Sequence, residues 1–262
     1  MPVTLNLVAR SRGDLPLYCL EGIREFGVDA VITGRRGGVS AAPYDTLNLG
    51  DHVGDELSSV LHNRRLVARA MGVDATKLVT ARQVHGAVVN DVDSWTGDTL
   101  VGDALVSTRD DVALAALVAD CVPLLVVDPH TAKFAVVHAG WRGLATGVIA
   151  ATLAHFHSSE LRVVIGPHIS RARYQVGPEV AAHFDDISGA CFPDVGDRRR
   201  LDLAVVALSQ LVAGGVLDQN VTLCCADSDD DAFFSDRAQR PCGRFGLVAR
   251  RTPYDSRVGL TP

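Results

Sequence analysis

Valine-rich apolar runs punctuate the chain near 28–33, 78–82, 86–92, 104–107, 112–118, 123–128, 133–138, 161–166, 220–225 and 245–250. Their length and β-branched content predict buried strands. Apolar positions spaced by three and four predict helices over 55–71, 143–156 and 201–213, with a shorter one at 178–185. Strands and helices alternate, yet "DPHTAK", between the runs ending at 128 and starting at 133, is too short for a crossover, so the sheet must be mixed. With no Pro/Ser-rich linker, fixed repeat or low-complexity tract, the pattern reads as one α/β domain over 1–262.

One helix breaks its own pattern. On the 55–71 stripe Leu57, Val60, Leu61, Arg64, Val67, Ala68 and Met71, Arg64 is the single charge and points towards the core. Such a side chain either snorkels or pairs with a buried carboxylate, or it clamps an anion at the floor of a site. The preceding segment, 33–55, is long, glycine-rich and polar, and loops of that length in a compact domain are functional or disordered as a rule. Arg35, Ser40 and Asn48 are its ligand-facing candidates.

Composition narrows the classes. At 47% hydrophobic residues, 262 positions suffice for a substantial core, so disulfide staples are not needed; six irregularly spaced cysteines then imply a reducing, cytoplasmic setting. No C-x-x-C occurs, which removes zinc ribbons, thioredoxin-type redox chemistry and the H-x-E, P-C-x-x-C deaminase signature. The net charge is −6 and the bases are scattered apart from short groups such as 198–200, which argues against nucleic acid as a partner. The most apolar stretch, 112–128, is interrupted by Asp120 and Pro123 and flanked by Asp110, Asp111 and Asp128, which argues against a membrane span. The N-terminus carries no evident signal peptide.

Three extended segments each deliver a histidine or cysteine at their end, beside glycine or proline: "TARQVHG" with His85, "LVADCVP" with Cys121 and "AVVHAGWRG" with His138. Strand ends beside tight turns are where an α/β scaffold displays reactive groups. Singly, each has an ordinary explanation as a hydrogen-bonded or buried residue. Jointly, two imidazoles and a thiolate suit zinc, with a fourth position open to water or substrate. Asp120, beside Cys121, is then placed to orient a partner or move a proton. A metal-free alternative makes Cys121 a nucleophile with His138 or His85 as its base. Arg142, between Gly140 and Gly143, offers an anion fork, or packs on Trp141 and pairs locally.

These segments, with "GDALVST", "IGPHIS", "YQVGPEV", "FFSDRAQRPCGRFG", "NLGDHVGD" and the "NRR" containing Arg64, resemble the YfiH-like family, also called the multicopper polyphenol oxidase or laccase-domain family and peptidoglycan editing factor. The likeness spans roughly 28–251 and implies a single domain of layered α/β/β/α form with mixed sheets, similar to the cytotoxic necrotizing factor catalytic domain. It implies a metal triad of His85, Cys121 and His138, with zinc bound and copper able to occupy the same ligands. The implied activity is phosphorolysis of adenosine, inosine and methylthioadenosine, with adenosine deamination besides; the partners are then a purine nucleoside and phosphate, and the protein a monomer or homodimer. Cell-wall precursor editing by Cys121 and His138 is the alternative, and a metal-binding or docking module without turnover is a further one. Asp236 stands where the family commonly has an aromatic residue and Ala238 where it commonly has a second arginine, which leaves the role of 233–244 open, although Arg237 and Arg244 remain. Polyphenol oxidation by four coppers would need several imidazoles per metal, against nine histidines spread over the whole chain.

Overall fold

Side-chain alternation along the strand Val122–Val127 explains the layering. In the computed structural model, which describes residues 2–252, Leu124 and Val126 pack on helices while Leu125 and Val127 enter the space between two sheets. Both faces are therefore apolar, and the run reads as continuous rather than alternating. Met1 and 253–262, part of the expected 1–262 domain, lie outside the described residues.

The larger sheet has seven strands in the order Val3–Leu5, Val221–Cys224, Arg162–Ile165, Val122–Val127, Phe134–Ala139, Ala104–Ser107, Val89–Asp91. Its centre is antiparallel and its flanks are parallel. The second sheet has six strands in the order Ala9–Arg12, Leu15–Cys19, Val28–Thr33, Phe245–Arg251, Ala113–Val118, Leu78–Val79. Leu114, Phe245 and Leu247 from this sheet meet Leu125, Phe134 and Val136 from the other. The helices Trp141–Thr146, Val148–Leu153 and Leu203–Ala213 cover the outer face of the seven-stranded sheet, and Leu57–Ala70 covers the other. The result is the expected single-domain α/β fold with mixed sheets in α/β/β/α order. Among the described residues, no helix is long and apolar enough to cross a membrane.

Two expectations need correction, and two small β elements were not expected. The helix predicted at 143–156 is two short helices, because Gly147 between them adopts φ 89° and breaks the ladder. The stripe on Leu57–Ala70 is rotated: Leu57 and Leu61 are 56% and 43% exposed, whereas Val60, Asn63 and Val67 are buried. Asn63 sets that rotation. Its amide donates to Ser40 Oγ and to the carbonyls of Thr46 and Asn48, and its oxygen accepts from Val39 N; turning it outward would orphan Val39 N, Ser40 Oγ and the Asn48 carbonyl, while the Thr46 carbonyl keeps the Ser40 N–H. The 33–55 loop is held by this network. Finally, the N-terminal hairpin and a small sheet of Gln175–Val176, Arg199–Leu201 and Cys191–Pro193 carry no long apolar run and give no strand signal.

Candidate metal centre and its cavity

Register and alternation bring the triad together. Pro123 pairs with His138, and Ala104 with Val137, so Cys121, His138 and Asp103 meet at one end of three adjacent strands. His138 shares the inter-sheet face with Phe134 and Val136, and Cys121 packs against that same cluster. His85 arrives from the other side on a turn, at φ 58°, an uncommon conformation for a side-chain-bearing residue. The backbone of Gly140 closes the group: a Cβ there would lie 2.9 Å from Cys121 Sγ and 3.1 Å from His85 Cδ2. Glycine lets the strand end pass directly over the donors.

One buried carboxylate organises both histidines. Asp103 Oδ1 accepts from His138 Nδ1 at 2.9 Å and from the His85 backbone N–H at 2.8 Å, while Oδ2 accepts from Gly86 N at 2.7 Å. It thereby fixes the uncommon turn at His85 and commits His138 Nδ1, leaving Nε2 for the cavity. Burial alone would push the Asp103 carboxyl up; His138 and the backbone amides outweigh it and hold it below its ordinary value. Burial likewise opposes ionisation of Cys121 and His138, yet each favours the other's charge. The thiol is pulled down by His138 and His85, and the imidazole is pulled up by Cys121 and Asp103. The pair favours thiolate and imidazolium.

The donor atoms of His85, Cys121 and His138 all lie within 4.8 Å of one another, the one cluster of three such donors among the described residues. Nitrogen and sulfur donors at that spacing suit a borderline-soft cation with bonds of about 2.0–2.3 Å after modest side-chain adjustment, so the residues fit zinc. They border a cavity of about 460 Å³, inside the range of roughly 300–1,000 Å³ common for small-molecule sites. His52, Gln83 and Tyr174 also line it, as do Asp236, Arg237, Arg240 and Arg244. Gln83 is tied to the backbone of Leu117 through both its amide atoms, which leaves it shaping the wall. Tyr174 lies under the Arg237 guanidinium at 5.1 Å, and burial raises its phenol well above the ordinary range.

The other candidates separate. Asp120 lines the cavity, but its carboxylate is occupied: Oδ1 accepts from Ser228 Oγ at 2.7 Å and Ser235 Oγ at 2.6 Å, and Oδ2 from Arg237 N at 2.6 Å. It latches the 228–237 loop to the strand end. Arg35 is bound to Asp45 and lies over Phe234, bordering a separate hollow. Ser40 and Asn48 are buried in the Asn63 network, and Asn48 also accepts from Gly50 and Arg244. Arg64 donates to Leu49 O at 2.9 Å and pairs with Asp51, the structural role that a charge on an apolar stripe allows. Arg142 stacks on Trp141 at 4.3 Å. None of these five borders the triad's cavity. Sequence reasoning passed over Asp103 and Arg240, and noted Arg237 and Arg244 without giving either a role. A lone aspartate directly before the apolar run at 104 was the available signal for the first; loop arginines carry none.

The chain matches the family described as multi-copper polyphenol oxidoreductase laccase over residues 29–251. It is 39% identical over 220 residues to a Streptomyces coelicolor protein named purine nucleoside phosphorylase, covering 81% of this chain and 90% of that one. A Pseudomonas aeruginosa protein of the same name is 38% identical over 229 residues, covering 84% and 92%. Among solved structures, Bacillus licheniformis YfiH superposes with a TM-score of 0.84 at 27% identity, covering 92% of this chain and 98% of that one.

Proposed function

This chain belongs to the multi-copper polyphenol oxidoreductase laccase family, and on that premise we propose that it is a zinc-dependent purine nucleoside phosphorylase of the cytoplasm. Its substrates are adenosine, inosine and methylthioadenosine, and the same centre deaminates adenosine. The observation that carries the reading is one cavity that combines a His, Cys, His donor set with three arginines. A phosphate nucleophile needs cationic neighbours, whereas four-copper oxidation needs several imidazoles for each metal.

Phosphorolysis forms a bond from a phosphate oxygen to C1′ as the C1′–N9 bond breaks. The bonding pair leaves with the purine, which gains the proton that hydrogen phosphate gives up. Positive charge builds on the ribose and negative charge on the base, so pre-set cations near the phosphate and donors near the base lower the barrier. Arg237, Arg240 and Arg244 would hold phosphate on one wall. Tyr174, kept protonated, offers an O–H donor from the same cavity. His85, Cys121 and His138 would hold zinc, which when bound polarises an oxygen as a Lewis acid. Asp103 orients the His138 imidazole directly and fixes the backbone turn that presents His85. Purified protein given adenosine and phosphate is expected to release adenine and ribose 1-phosphate, and Cys121→Ala to release neither; equal turnover by the variant overturns the proposal.

One observation favours a second reading. Cys121, His138 and Asp103 form a nucleophile, base and orienter, with the thiol pulled down by His138 and His85 against burial, the arrangement of an amide-cleaving thiol enzyme. Cleavage of peptidoglycan precursor peptides, with no nucleoside turnover in parallel assays, would select it.

A further inference from the structure

The arginine wall already holds an anion, and it belongs to the chain. Asp236 Oδ2 accepts from Arg240 Nε at 2.9 Å and from the same guanidinium's Nη2, while Oδ1 accepts from Arg244 Nη2 at 3.2 Å. A carboxylate shared between two guanidiniums presents its oxygens as a bound phosphate would. The two arginines are held differently. Arg244 is 20% exposed and anchored through Nη1 to the carbonyls of Cys242 and Gly243, so its guanidinium is preset. Arg240 is 78% exposed and its side-chain bonds go to Asp236, so it is free to swing. Asp236, at 21% exposure, faces the cavity that contains the triad.

We propose that Asp236 is a specificity-determining internal competitor: its carboxylate occupies Arg240 and Arg244 in the resting protein and must yield them to phosphate. This rests on the phosphorylase reading above. Phosphate entry exchanges one anion for another on the same donors, so its net gain is the difference between the two interactions. Asp236 thus sets a high phosphate KM while leaving the nucleoside side of the cavity alone. It also screens the wall against weaker monoanions, which match two guanidiniums less well than a divalent phosphate does.

Asp236→Asn keeps the shape and removes the charge. Given the modest worth of partly exposed ion pairs, the KM for phosphate is expected to fall about threefold to tenfold at low ionic strength, with the nucleoside KM moved less than twofold and the phosphate effect shrinking as salt is added. Arg240→Met should move the phosphate KM the opposite way. A purely structural role for Asp236 would instead degrade both KM values together. If Asp236→Asn destabilises the loop, Asp236→Ser carries the same expectation. Titration calorimetry with inorganic phosphate tests the point without turnover: tighter binding by the uncharged variants supports the competitor, and equal or weaker binding overturns it. Wild-type protein that binds phosphate more weakly than Asp236→Asn but splits no nucleoside would refute the phosphorylase reading alone. Turnover with an unchanged phosphate KM in both uncharged variants would refute the competitor alone.

Discussion

Replacing Asp103 with asparagine separates the organisation of the candidate centre from its donor atoms, which all remain. The carboxylate faces N–H donors on both oxygens: His138 and His85 on Oδ1, Gly86 and, at 3.3 Å, Val84 on Oδ2. An asparagine has one acceptor oxygen and one NH2. With its oxygen towards the histidines, the NH2 opposes Gly86; in the flipped form it opposes both histidines. Either way at least one charge-assisted bond is lost, worth about 1.5–3 kcal/mol, and a buried N–H is left unpaired. Since a domain's whole stability is about 5–15 kcal/mol, Asp103→Asn is expected to remain folded but destabilised by about 2–4 kcal/mol in a denaturant titration.

The larger readout is metal affinity. Loss of a carboxylate that orients an imidazole ligand costs about 10–100-fold, and here one carboxylate serves both histidines, so the upper half of that range is expected. Zinc affinity measured against a competing chelator checks it. A variant that folds and binds zinc within twofold of wild type would refute the assigned role. The stability gap also carries a pH signature. The folded state holds the Asp103 carboxyl below the unfolded value of 3.8, so its contribution is complete above that value. It is lost as pH falls through the lower folded value, and the gap between wild type and variant should close across that acid window.

Gly140→Ala is expected to cut zinc affinity and turnover at least tenfold while leaving the fold intact, because the new methyl would lie 2.9 Å from Cys121 Sγ and 3.1 Å from His85 Cδ2; chelator competition and turnover read both. Asp120→Asn is expected to keep turnover within about tenfold, since asparagine tolerates the left-handed φ of 88° and the two serine hydroxyls can rotate to accept from it. A loss of about 10²–10⁴-fold, the usual contribution of a general acid or base, would instead make Asp120 a proton carrier.

Why the triad was legible and its setting was not follows from what periodicity encodes. A buried strand announces itself by composition, and the residues at its ends can be named without knowing their neighbours; Cys121 stands directly before Val122–Val127 and His138 is next to last in Phe134–Ala139. Asp103 stands at one too, but its importance depends on the pairing of Ala104 with Val137, a register between segments that no local pattern records. The stripe around Arg64 was misread for the converse reason: buried Asn63, polar and therefore discounted, turns the helix to satisfy four loop partners, while Arg64 pairs with Asp51, one of the two roles open to it. The arginine wall lies on a loop with neither period, and its charges became meaningful once Asp120, a single residue before Cys121, was seen to grip Ser228, Ser235 and the backbone of Arg237. One strand end therefore holds a candidate metal donor and the latch for the arginine-bearing loop side by side. Any shift in that strand's register would disturb the triad and the arginine wall together, which couples them through backbone geometry rather than through direct contact.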